Sequence, residues 1–249
     1  MRKERLEQNR PSEASLATLP SIGGADRPRR QDFLRVARQG KGRDLSLVSV
    51  PEPFRLPELI SQSLVDVLLY DEITDDHLDE YEYLWKPRLR RAHGLGHLPV
   101  EDAHWDWTQK VLPTRNRLDF KHFCLVYDSL AQGLMQLELV RHKSRLEPNK
   151  DLVYIDYVTV APWNRGLTQA RYRLKGVGGL LVARAIRTSL DEGFHGRVGL
   201  HSLPGASGFY RKTGATSFGC DASYHNLEYF ELSRDAAKVY INNLSAQST

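Results

Sequence analysis

The chain has 249 residues, of which 41% are hydrophobic and 27% charged, with a formal net charge of +4 and two cysteines. This is the composition of a globular protein long enough to bury a core, and it excludes collagen-like, low-complexity and disulfide-stapled classes. The charge is uneven: residues 1–45 hold 11 Lys/Arg against 6 Asp/Glu, and the remainder nets to −1, which argues against a broad nucleic-acid-binding face on the body.

Residues 1–45 read as a disordered basic tail. The stretch 10–30 is rich in Pro, Ser, Gly and Arg and offers too little apolar surface to offset its ordering entropy. A short helix is expected over 31–39. The first ten residues lack an apolar h-region, and Glu4, Glu7 and Glu13 disfavour a transit peptide. No apolar run approaches the roughly 20 residues of a membrane span, so no membrane partner is expected. Cys124 and Cys220 are too few for a thiolate metal site. A cytoplasmic protein without a metal is the expectation.

Residues 46–249 read as one globular domain. A strand is expected over 64–70, then a helix over 75–85 capped by Thr74, with Pro87 ending or kinking it. A second helix is expected over 101–112. Strands over 120–127 and 130–142 pair around Asp128-Ser129, and a strongly β-prone strand covers 152–161. The clearest helix carries Val182, Ala185, Ile186 and Leu190 on one face and Arg184, Arg187 and Asp191 on the other, and Gly193 ends it. A strand over 198–201, a short helix over 205–213, a strand over 227–232 and a helix capped by Ser233 complete the chain. This order predicts an α/β (α+β) fold: a mixed, predominantly antiparallel sheet flanked by helices.

Chemistry concentrates in two segments. Arg173-Leu-Lys175-Gly176-Val-Gly178-Gly179 runs from a strand into a helix. Such a turn is either a simple strand-to-helix connection or an anion cradle, because glycine lets the main chain approach a phosphate at the helix's positive end. Leu181 stands where a dinucleotide fingerprint would need its third glycine. Further on, Phe209-Tyr210 precedes Gly214 on a short helix. It supplies either a core tyrosine or a hydroxyl proton donor. A phosphate-bearing cofactor with a nearby proton donor suggests acyl transfer from coenzyme A.

Val160-Ala-Pro162, Arg173-x-x-Gly176-x-Gly178 and Ala206-x-x-Phe209-Tyr210-x-x-x-Gly214 together resemble the GNAT family of N-acetyltransferases. The resemblance is closest over residues 152–219 and extends through strand order to 64–232. It implies a pyrophosphate site at Arg173, Leu174, Lys175, Gly176, Val177, Gly178 and Gly179, with Arg173 and Lys175 adding charge. It also implies pairing of the pantetheine arm with Val158, Thr159 and Val160, on a strand that splays from its neighbour. Tyr210 matches the tyrosine near the thioester sulfur. Two departures stand out. Residues 164–172, including Arg171, read as an insertion, and Leu203 occupies a position often held by Asn, with Ser202 as its polar substitute.

The implied reaction moves an acetyl or other acyl group from acyl-CoA, a co-substrate, to a primary amine by direct attack. Asp156 is one candidate base, with Glu138 and His201 as others. Asp156 is equally readable as an ion-pair partner or a solvent-facing residue. The amide near Val160 would meet the oxyanion and Tyr210 would protonate the thiolate. Acidic residues from Asp71 to Glu82, with Trp105 and Trp107, could receive a cationic acceptor, or most of the acids could form a solvated face over inward-packed Tyr81, Leu84 and Trp85. Two other classes share part of the pattern: a non-catalytic acyl-CoA sensor, and a nucleic-acid-associated module using the basic tail. The pattern admits a homodimer without specifying one.

Overall fold

A computed structural model describes residues 50–94, 100–165 and 173–247. The expected tail, the helix at 31–39, and Arg171 lie outside them. The elements run β1 (Glu52–Glu58), β2 (Ser63–Tyr70), α1 (Asp75–Glu80), a π-helical turn (Tyr81–Trp85), α2 (Lys86–Gly94), α3 (Trp107–Val111), β3 (Phe120–Tyr127), β4 (Leu130–Glu138) and β5 (Val153–Val160). There follow α4 (Val177–Asp191), β6 (Val198–Ser202), α5 (Ser207–Lys212), β7 (Thr216–Asp221), β8 (Leu227–Leu232) and α6 (Arg234–Gln247). The described strands form one open sheet in the order β1-β2-β3-β4-β5-β6-β8-β7. Its neighbours are antiparallel except for β5 and β6. The fold is therefore the mixed, mostly antiparallel sheet flanked by helices that the element order predicts.

Each face of the sheet has its own core. Val67, Phe123, Met135, Leu137, Ile155, Leu200 and Phe230 pack against Leu181, Val182, Ala185 and Ile186 of α4. Each of these Val, Leu, Ile, Met and Phe side chains contributes roughly 1.5–3 kcal/mol on burial. The opposite face packs Cys124, Leu134 and Ala161 against Tyr81, Trp85, Leu89 and Trp107. Gly133 sets how closely α4 approaches: a Cβ there would lie 2.8 Å from Leu181 Cδ1 and 2.9 Å from Val177 Cγ1. A glycine in the middle of β4 thus lets the start of α4 press onto the strand.

Several local expectations change. Pro87 does not end the helix. The π-helical turn before it, with the Lys86 N–H donating to the Tyr81 carbonyl, shifts the ladder and absorbs the donor that proline lacks. The helix expected at 101–112 shrinks to Trp107–Val111, because Asp106 accepts from the Gln109 N–H at 3.0 Å and starts it late. Leu190 is 44% exposed rather than buried. β1, which contains Pro53 and Pro57, is an edge strand, where proline's missing N–H costs nothing in the ladder. Thr74 caps α1 as expected, through a reciprocal pair with His77.

Candidate active site

The site begins where β5 and β6 part. Their parallel pairing covers three positions, Val153↔Val198, Tyr154↔Gly199 and Ile155↔Leu200. Among the described residues, β5 continues to Val160 beside β4 alone. The Ala161 N–H donates to the Gln132 carbonyl, and Gly133 faces Val160 while Leu134 faces Thr159. Hydrogen-bonded and non-bonded pairs alternate in such a ladder. The N–H and C=O of Val158 and Val160 therefore point away from β4, into the wedge, whereas those of Thr159 are used by β4. The Thr159 hydroxyl donates to Asp102 on the α1 face. Of the three positions expected along a pantetheine arm, two offer main-chain groups to the wedge, and the third anchors the strand.

At the wide end of the wedge lies the first turn of α4. Gly176 precedes it in the left-handed region, at φ 94°, without any side-chain cap. The residue before this turn must tolerate a conformation that side chains resist. The first-turn N–H groups of Val177, Gly178 and Gly179 are the donors a helix leaves without intrahelical partners. A Cβ on Gly178 would lie 3.7 Å from both Phe209 Cζ and Val160 Cγ2, so this turn, the open end of β5 and α5 converge there. The Leu174 N–H donates to Asn164 Oδ1 at 2.8 Å and the Lys175 N–H to the Pro57 carbonyl at 3.0 Å. These two amides hold the turn in place. Arg173 is likewise engaged: its guanidinium lies 2.7 Å from Asp128 Oδ2 and 3.5 Å from Glu58 Oε1, over the Tyr127 ring. Lys175 is exposed and, among the described residues, has no carboxylate partner.

Tyr210 sits 5% exposed in the α4-side core, between Phe209 and Phe230. Burial raises its pKa, and Tyr240 adds to the effect, so its hydroxyl stays protonated at neutral pH. Tyr240 donates in turn to the Gly179 carbonyl at 3.0 Å. Phe209, 39% exposed, reaches the mouth of the turn instead. Ser202 is buried and donates to the Leu203 carbonyl.

The other face carries the acid-base groups. β5 bulges against β4 at Asp156, since Gln136 faces Tyr157 while Leu137 faces Ile155. Asp156 Oδ2 accepts from Gln136 Nε2 at 2.8 Å. Gln136 Oε1 lies 3.2 Å from His122 Nε2 and 3.3 Å from the Thr114 hydroxyl, which donates to it. Desolvation raises the Asp156 pKa, the Gln136 bond opposes this, and Glu138 raises it further. Glu138 is occupied by His142 at 2.9 Å and by Arg141. His201 lies between the Tyr154 hydroxyl, at 2.7 Å, and Asp221, with Tyr224 stacked on its ring. Of the three expected bases, Asp156 keeps an oxygen outside such a pairing among the described residues.

The residue pattern carries no signal that Asp102 pairs with Arg165. They form a two-pronged pair at 2.7 and 2.6 Å. Arg165 also donates to the Val160 carbonyl and the Thr159 hydroxyl. It thereby occupies the wedge-facing carbonyl of Val160 and leaves that residue's N–H as the available group. Trp105 and Trp107, expected to work with the acidic segment, pack on Tyr157. The acids go elsewhere: Glu80 accepts from the Ala131 N–H, Asp75 pairs with Arg115 and Glu82 with Lys86. Tyr81 and Trp85 pack inward as expected.

No family model matches the sequence, and no curated protein is similar to it. Solved structures similar to the chain include a PaiA N-acetyltransferase from Thermoplasma acidophilum in complex with coenzyme A, at 14% identity and a TM-score of 0.46 over 67% of this chain and 98% of that one. The GNAT domain of PAT from S. lividans is similar at 12% identity and a TM-score of 0.45, over 73% and 96% of the two chains. An aminoglycoside acetyltransferase in complex with coenzyme A and kanamycin is similar at 16% identity and a TM-score of 0.43, over 68% and 96%.

Proposed function

We propose that the chain is a GNAT-type N-acyltransferase that moves an acyl group, acetyl foremost, from acyl-CoA to a primary amine. The observation that carries this reading is the wedge: β5 and β6 separate after three pairs, and the freed Val158 and Val160 main chain ends at the uncapped, glycine-led start of α4. In this reading the amides of Val177, Gly178 and Gly179 hold the pyrophosphate, with Lys175 beside it, and the pantetheine arm lies along Val158 and Val160. Arg173 and Leu174 shape the turn.

An alkylammonium acceptor must lose a proton before attack. Asp156, at the bulge beside the wedge, takes it. The free amine attacks the thioester carbonyl, whose oxygen meets the Val160 N–H, and a C–N bond replaces the C–S bond. Tyr210 protonates the departing thiolate and regains its proton from the nitrogen, which sheds its second proton as the amide forms. The reaction needs no metal. Coenzyme A should raise the melting temperature, and acetyl-CoA with a panel of amines should release free thiol. Absence of both effects overturns the reading; stabilisation without thiol release favours an acyl-CoA sensor. Tyr210→Phe should lower turnover more than CoA affinity, and unchanged turnover removes Tyr210 from the mechanism.

A further inference from the structure

On the α1 face, directly over β5, the chain places one of its own amines. Lys110 of α3 is half-buried. Its Nζ lies 3.3 Å from the centre of the Tyr157 ring and 5.1 Å from that of Trp105, and the two rings meet edge-on at 5.2 Å. Such a position attracts an ammonium through the ring faces. The carboxylates acting on it are Asp156 and Asp106. The Tyr81 hydroxyl and the Trp107 indole N–H are buried without a hydrogen-bond partner among the described residues, and their rings connect through Trp107 to Tyr157. An aromatic seat, a carboxylate at its edge and two unsatisfied polar groups are costly to assemble unless a polar ligand uses them. Tyr157 immediately precedes Val158, where the main chain first turns into the wedge.

We propose that Lys110 is itself an acyl acceptor, so that the protein modifies this lysine from acyl-CoA, the Trp105–Tyr157 seat holding its ammonium. The inference rests on the acyltransferase reading above and names its acceptor class, a primary alkylammonium on a flexible stem. In the step, the Lys110 ammonium gives one proton to Asp156, and its lone pair forms a C–N bond to the thioester carbonyl carbon. The C–S bond breaks, and the nitrogen's second proton leaves with the sulfur as free CoA thiol. Desolvation lowers the pKa of Lys110, which eases the first proton loss.

The test incubates the full chain with acetyl-CoA and follows each lysine by peptide mass spectrometry, with CoA-dependent melting measured in parallel. Lys110 should gain one acetyl group about tenfold or more faster than the exposed Lys150 and Lys212. Asp156→Asn should slow this by about a hundredfold while leaving the CoA-induced melting shift in place. A normal melting shift with Lys110 modified no faster than Lys150 or Lys212 overturns this inference alone. No melting shift together with no modification overturns the acyltransferase reading itself.

Discussion

The two halves of β5 are built from the same kinds of residue but behave differently. Tyr154 and Ile155 pair on both edges, with β4 and with β6, Val153 pairs with β6, and all three side chains are buried. Val158–Val160 have equal strand propensity, yet they pair with β4 alone. The difference comes from their surroundings. At the closed half, β6 lies alongside and β8 supports it. At the open half, the start of α4 presses onto Gly133, and Arg165 occupies the Val160 carbonyl. β-propensity makes a strand; neighbours decide which of its edges stays available. The availability of main-chain groups at one end of a buried strand is what turns this sheet into a candidate site.

Asp156 marks the junction of the halves, and its replacement should have the largest effect. Asp156→Asn is expected to lower kcat by about 10²–10⁴-fold without changing CoA affinity. In the wild type the acid limb of the rate profile should lie above the ordinary aspartate range, because burial raises this pKa and the base must be ionised to act. A parallel loss of affinity would assign Asp156 to the shape of the strand instead. Next comes the pair that holds the open half. Arg165→Met strands Asp102, a 5%-exposed carboxylate, and should destabilise by about 3–5 kcal/mol in urea unfolding. A cost below 1 kcal/mol would mean that the open half holds its form unaided.

Glu80 offers a pH-dependent test on the neighbouring end of β4. Burial raises its pKa from 4.5 to about 7, against the bonds from Ala131 and Trp85. A raised carboxyl pKa contributes stability that is complete below about 4.5 and is lost as pH rises through about 7, on the order of 3 kcal/mol in all. Unfolding at pH 5 and pH 8 should differ accordingly in the wild type and much less in Glu80→Gln. An identical pH slope in both would remove Glu80 as the source. The smallest effect belongs to Gly176→Ala, which forces a side chain into φ 94° and should cost about 1–2 kcal/mol. A stabilising alanine would contradict the left-handed start of α4.

Much of this architecture was legible in the residue pattern. Thr74, Asp128-Ser129, Gly193 and Ser233 punctuate the elements where local chemistry says they should. The β-branched run at 152–161 and the period of α4 need no tertiary context. β1 was hidden by Pro53 and Pro57, which signal a break unless the strand's edge position is known. β7 was hidden by its exposed, small residues. At the site, the glycine turn was readable because its spacing is local. The commitment of Arg173 to Glu58 and Asp128 was not, since those partners lie 115 and 45 positions away. Asp102 with Arg165, and Lys110 over Tyr157, are likewise products of topology. Lone charged residues far apart in sequence give no period and no motif by which to find them.

Acyl-CoA binding in this reading requires the open half of β5 and the start of α4 to act as one binding surface. Titration of the isotope-labelled chain with coenzyme A, followed by amide NMR, tests this most directly. The amides of Val158, Val160, Val177, Gly178 and Gly179 should shift together and saturate, while those of Val153–Ile155 stay in place. Saturable binding that leaves these five amides unmoved, or that moves both halves of β5 alike, would contradict it.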